Sequence, residues 1–139
     1  MSWDQFSAAL TAAATRFAAG DPEPYKALWA HDDDVCLMGA YGGVLVGWPR
    51  VAARMDHVSR ALRSEADVRF SQEVVRDIVT SDFAHSCRVE QFDHGPGTEL
   101  LLRRVTLGAK PAQDRWWIVH QHSDPLLSAA DRSTPVLRC

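Results

Sequence analysis

The sequence has no excess of basic charge. Across 139 residues its 15 Lys and Arg are outnumbered by 18 Asp and Glu, for a formal net charge of -3. No positive field is available to hold nucleic acid or an anionic membrane. No apolar run approaches the ~20 residues of a membrane span, and the first residues lack the basic and apolar regions of a secretory signal. The expected location is the cytoplasm. Cysteine is scarce: Cys36, Cys87 and Cys139 are an odd, scattered set without metal-type spacing. They read as packed thiols in a reducing compartment, with Cys139 fraying at the end. Internal repeats and low-complexity segments are absent. The glycine-rich stretch Gly39-Ala40-Tyr41-Gly42-Gly43 has neither the lysine nor the spacing of a phosphate loop.

What is present is one domain's worth of core. A chain of this length, 46% hydrophobic, buries one core and is too short for two. The expected domain is residues 1–127, with 128–139 as an aperiodic, flexible tail. Ser2 and Gln5 have capping-box spacing, and Trp3, Phe6, Leu10, Ala13, Ala14 and Phe17 form one apolar stripe before Gly20. Asp21-Pro22 restarts a shorter helix carrying Tyr25, Leu28 and Trp29, expected to end near Ala30 to Asp32. Strands over Val35–Met38 and Val44–Gly47 flank the glycine-rich turn, and a third helix follows Trp48-Pro49. Beyond Ser64 the period becomes two. Val68–Val79, Phe83–Phe92, Glu99–Leu107 and Arg115–Ser123 read as four long antiparallel strands. Helices first and a meander afterwards describe an α+β domain, in which three N-terminal helices cover one face of a strongly curved antiparallel sheet and leave a hollow.

The last strand carries the densest chemistry. Strict alternation puts Trp116, Ile118, His120, His122 and Asp124 on one face, with side chains roughly 6 to 7 Å apart. Two imidazoles and a carboxylate beside a tryptophan suggest a face that looks into a partly polar cavity. Three readings stay open. The histidines satisfy a polar core through bonds to the protein. Alternatively, Asp124 orients a histidine that moves a proton on or off a small substrate. In the third, His-x-His plus Asp ligates a metal. Arg104 shares a strand face with Thr106, Leu102 and Leu100, and either snorkels at the rim or fixes a carboxylate or enolate inside. Arg88 is similar. Asp34, just before the first strand, is a second candidate base, and Trp29, Tyr41 and Trp116 are candidate lining aromatics.

In order along the chain, Tyr25 to Val35, the Gly39 to Gly43 turn with Gly47-Trp48, Arg104-Val105-Thr106, and Trp116 to Leu126 with its His-x-His-x-Asp-Pro ending resemble the nuclear-transport-factor-2-like (NTF2-like) superfamily. Within it they resemble the SnoaL-like proteins often called ketosteroid-isomerase homologues. The resemblance covers nearly the whole chain. It implies a cone-shaped fold with a pocket between helices and inner sheet face, usually homodimeric through the outer face. The superfamily includes isomerases, cyclases, dehydratases, epoxide hydrolases and modules without catalysis. The steroid isomerases use a first-helix tyrosine in their oxyanion hole. Here that helix offers tryptophan and phenylalanine instead, so steroid isomerisation is not expected. The assembly domain of the calcium/calmodulin-dependent kinases is similar in its Trp and His-x-His strand. The positions that look equivalent to its pocket arginines are Arg88 and Arg104, which favours an anionic or carbonyl-bearing ligand.

The expectation is an enzyme without cofactor or metal, acting by acid-base isomerisation, cyclisation or dehydration on a small carbonyl-containing metabolite. His120 or His122 would move the proton, with Asp34 as the second base. Asp124 would orient the histidine and Arg104 would anchor negative charge. Trp29, Tyr41, Arg88, Thr106 and Trp116 would bind substrate. The alternative is a non-catalytic ligand-binding or dimerisation module of the same fold.

Overall fold

The computed structural model describes residues 1–63 and 68–126. The tail expected over 128–139, Cys139 included, lies outside these residues. Helix α1 spans Trp3–Ala18 and begins with the reciprocal cap its sequence announces: Ser2 Oγ accepts from the Gln5 N–H at 3.2 Å while Gln5 Oε1 accepts from the Ser2 N–H at 2.9 Å. Its stripe of Trp3, Phe6, Leu10, Ala13 and Ala14 is buried. Helix α2 is a single turn, Glu23–Lys26, with Pro22 at its N-cap rather than inside it. It stops earlier than the sequence suggests because the chain is captured by the sheet. Ala30 N–H donates to the Ile118 carbonyl and Ile118 N–H to the Leu28 carbonyl, both at 2.9 Å. Helix α3, Trp48–Arg63, buries Val51, Met55, Ser59 and Leu62, and Ser59 Oγ donates to the Phe17 carbonyl of α1 at 2.8 Å.

The strands are β1 (Cys36–Gly39), β2 (Gly42–Val46), β3 (Arg69–Val79), β4 (Ala84–Asp93), β5 (Leu101–Ala112) and β6 (Arg115–Pro125). They form one six-stranded sheet in the order β2-β1-β6-β5-β4-β3. The sheet is mixed, a correction to the all-antiparallel expectation, since β1 returns to lie parallel to β6. The fold is α+β, with helices against a curved, open sheet. Strand β5 also runs further than its sequence suggests: the stretch from Gly108 to Asp114, expected as a loop, is mostly ladder. A tight turn at Gln113 (φ 54°) and Asp114 (φ 62°) closes the β5–β6 hairpin.

One irregularity decides which residues face the core. Gly108 pairs with His120 but Ala109 pairs with Ile118, so Val119 is an extra residue in β6, a β-bulge. A one-residue insertion exchanges the two faces of everything beyond it. Trp116 and Ile118 point inward and are 8% and 0% exposed, and from there the inward set continues as Gln121 and Ser123. The expectation that His120, His122 and Asp124 share a face with Trp116 and Ile118 is therefore overturned. They lie on the outer face, away from the helices.

Candidate functional site

A cavity of ≈ 80 Å³ opens between α1, α3 and the inner face of the sheet. That is several times the space one water needs. Its walls are apolar, with Phe17 from α1, Met55, Val58 and Leu62 from α3, and Phe70 and Phe92 from the sheet. Its polar groups stand on the strands because each strand presents alternate residues to the hollow. Gln72, Glu90 and Arg103 pair across β3, β4 and β5 and occupy one inner row. Glu90 and Arg103 border the cavity, as do Gln121 and Ser123 of β6 and Tyr25 of α2.

Desolvation raises the Glu90 pKa above the ordinary carboxylate value, a shift held back by the Arg103 charge, a hydrogen bond from Gln72 Nε2 to Glu90 Oε2 at 3.3 Å, and the charge of Arg88. Arg103 is half-buried, its guanidinium 4.6 Å from the Phe92 ring centre and 4.9 Å from that of Tyr41. Its Nη2 also donates to Tyr41 Oη at 2.8 Å. Tyr41 itself is 60% exposed in the β1–β2 turn, at the mouth. Tyr25 is buried. Burial, with the nearby Glu90 charge, raises its pKa strongly, so it remains a neutral donor to Gln121 Oε1. Gln121 Nε2 passes the chain on to Ser123 Oγ at 2.9 Å.

Of the residues proposed from the sequence as catalytic or substrate-binding, Tyr41 alone lines this cavity. Arg88 lies on the inner face but is packed beneath α1. Trp29 and Trp116 belong to the core, Trp116 edge-on to Trp3 at 5.4 Å between ring centres. Asp34 is exposed in the loop before β1, its N–H held by Asp32 Oδ1 at 2.9 Å. Thr106 pairs with His122 on the outer face. Arg104, also outside, forms a two-pronged bond to Asp124: Nε to Oδ1 at 2.7 Å and Nη2 to Oδ2 at 2.6 Å. That bond occupies both Asp124 oxygens, which orient Arg104 instead of a histidine, and it lowers the Asp124 pKa. Burial and then the neighbouring His122 lower the His120 pKa. Among the described residues no three His, Cys, Asp or Glu side chains are grouped to hold a metal ion.

Sequence reasoning missed Tyr25, Glu90, Arg103, Gln121 and Ser123 as site residues. For Glu90 a signal existed: it stands two residues beyond Arg88 and shares its face. For Gln121 and Ser123 none did, because the alternating pattern carries no mark of the bulge.

No family model and no curated protein matches the chain. Solved structures do. A proposed calcium/calmodulin-dependent protein kinase type II association domain from Thiobacillus denitrificans is similar over 87% of this chain and 92% of its own, with 24% identity and a TM-score of 0.69. An NTF2-like protein of unknown function from Shewanella oneidensis is 17% identical over 89% of this chain and 99% of its own, at a TM-score of 0.70. A proposed dehydratase of the NTF2-like family from Streptomyces avermitilis is 20% identical over 88% and 91%, at 0.66. Likeness at these identities establishes architecture, and the chain has the NTF2-like fold.

Proposed function

We propose that the chain is a small-molecule enzyme of acid-base type, acting on a small, mostly apolar carbonyl compound, with Glu90 as the group that moves the proton. The observation that supports this most is the Glu90 carboxyl opposite Arg103 at the edge of an apolar cavity. A carboxylate whose pKa is raised is a stronger base than an ordinary one and holds the proton it takes until it can be returned. Glu90 takes a proton from the carbon beside the carbonyl, and the electron pair moves to the carbonyl oxygen, where the Arg103 guanidinium stabilises the developing charge. Returning the proton at another carbon completes an isomerisation. Expelling a β-hydroxyl as water completes a dehydration. The proposed NTF2-like dehydratase from S. avermitilis, similar in fold, favours the second outcome. The SnoaL-like branch fits this chemistry, and Tyr41 would meet the substrate at the mouth.

A second reading, a ligand-binding module, draws support from the Tyr25–Gln121–Ser123 chain, whose polar groups are bonded to one another. For self-association we favour a homodimer through the outer sheet face. There Val46, Cys36, His120, Gly108, His85 and Ile78 form one row across all six strands, with Val46 54% and Ile78 50% exposed.

The deciding experiment is α-proton exchange of a panel of small cyclic and branched ketones in D2O, followed by NMR. Catalysed exchange should fall about 10²- to 10⁴-fold in Glu90→Gln. Equal rates in the wild type and Glu90→Gln would discard Glu90 as the acid-base group and leave the binding module.

A further inference from the structure

Beneath α1 lies a guanidinium that, among the described residues, makes no direct ion pair, although the charges of Asp77 and Glu90 lie near enough to favour it. Arg88 is 1% exposed, and its hydrogen bonds among the described residues go to neutral oxygens. Its Nε donates to Ser86 Oγ at 2.9 Å and its Nη2 to Ser7 Oγ at 2.6 Å. Its Nη1 donates to Thr11 Oγ1 at 3.1 Å and to Gln72 Oε1 at 2.9 Å. Burying a cation is expensive, and a well-packed apolar side chain usually serves a purely structural role as well or better. The arrangement has a direction that packing alone does not require. A guanidinium offers donors only, so the Gln72 atom that meets it must be the oxygen. The amide nitrogen is then turned toward Glu90, where it donates to Oε2. Thr11 Oγ1, 3.4 Å from the same Gln72 oxygen, supports that orientation.

We propose that Arg88 is a positioning residue for Glu90: by fixing the Gln72 amide it commits Glu90 Oε2 to accepting a hydrogen bond and leaves Oε1 as the oxygen that holds and releases the proton. This rests on Glu90 as the acid-base group. The carbonyl oxygen of a neutral carboxyl accepts better than its hydroxyl oxygen, so the Gln72 donor at Oε2 favours the proton on Oε1. The groups that face Glu90 or share its cavity are few. Arg103 on β5 and Arg88 on β4 are cations that favour its charged form, and Gln72 on β3 donates to it. Tyr25 on α2 is neutral, α3 brings Arg54 to the cavity, β6 brings the neutral Gln121 and Ser123, and α1 contributes apolar side chains apart from Thr11.

The test is a carbon-13 NMR titration of the Glu90 side-chain carboxyl in substrate-free protein, its resonance assigned by its loss in Glu90→Gln. Gln72→Met removes the donor at nearly constant volume and should move the midpoint up by about one pH unit. Gln72→Glu keeps an acceptor for Arg88 but gives Glu90 no donor, and should move it at least as far. It also carries the test if the methionine variant folds poorly. Arg88→Lys keeps the charge but loses the fork that sets the amide, and should raise the midpoint as well. A folded Gln72→Glu or Arg88→Lys protein with the wild-type midpoint overturns the proposal. The titration needs no substrate, so it can fail while Glu90 still drives ketone exchange, and it can succeed in a protein that has no turnover.

Discussion

Two arginines adjacent in β5, Arg103 and Arg104, each sit opposite a carboxylate on a neighbouring strand, and the two pairs behave in opposite ways. Arg103 points inward across from Glu90 of β4. Arg104 points outward across from Asp124 of β6. Outside, two direct hydrogen bonds and attraction outweigh a small loss of hydration, and the Asp124 pKa falls. Inside, the apolar walls withdraw water from Glu90, Arg103 spends its donors on Tyr41, and desolvation outweighs the charge, so the Glu90 pKa rises. The ingredients are alike, and the face of the sheet decides the sign. A carboxyl that burial makes more basic serves proton transfer. One locked as an anion serves as a strut.

The boundary between those faces is set at the Val119 bulge and kept by strict alternation beyond it, so inserting an alanine between His120 and Gln121 should break the comparison most completely. Alternation past the extra residue would carry His122 and Asp124 into the core and turn Gln121 and Ser123 out. Burying an imidazole and a carboxylate that has left its arginine opposes folding by an amount comparable to the whole stability of a small domain, ~5–15 kcal/mol. The expected result is a chain without a cooperative urea transition at 25 °C. An insertion variant that still unfolds cooperatively with near-normal stability would mean that the extra residue is absorbed as a second bulge.

The same bulge explains what was and was not legible beforehand. Apolar spacing of three and four exposed α1 and α3, the Ser2–Gln5 box marked a helix start, and period two marked the long strands. Those are local signals, and they sufficed for the α+β class. The parallel docking of β1 on β6 is a long-range pairing with no local cue. The bulge is invisible for a stricter reason: Val119 is an ordinary β-branched strand residue, and nothing in Trp-Trp-Ile-Val-His-Gln-His says that one of them is left unpaired. A prominent histidine pair therefore drew notice to the outer face. Tyr41 was legible because it sits in a glycine-rich turn whose position does not depend on register.

Replacing Glu90 by glutamine sharpens the comparison. Because the folded-state pKa of Glu90 lies above its unfolded value of ~4.3, the fold favours the protonated form. Its contribution is fully present below about pH 4.3 and is lost as pH rises through the folded value, at a rate of ~1.4 kcal/mol per unit of difference. The wild type should therefore lose more stability than Glu90→Gln does as pH rises above about 4.3, measured by urea denaturation at several pH values. Parallel profiles for the two proteins would show that Glu90 is well hydrated and that the cavity does not desolvate it.

The outer pair should give the smallest effect and the opposite slope. The folded-state pKa of Asp124 lies below its unfolded value of ~3.9, so its contribution is present above that value and is lost as pH falls through the folded one. The Arg104 and Asp124 side chains are 51% and 37% exposed, which leaves water and salt to screen the pair. A double-mutant cycle with Arg104→Ala and Asp124→Ala at pH 7 should return a coupling of ~0.2–1 kcal/mol that shrinks between 0.05 and 1 M salt and is lost as pH falls through the folded Asp124 value. The two-pronged geometry favours the upper end of that range. A coupling several times larger and insensitive to salt would place the pair in a dry environment, as burial of the outer sheet face against a second copy of the chain would produce.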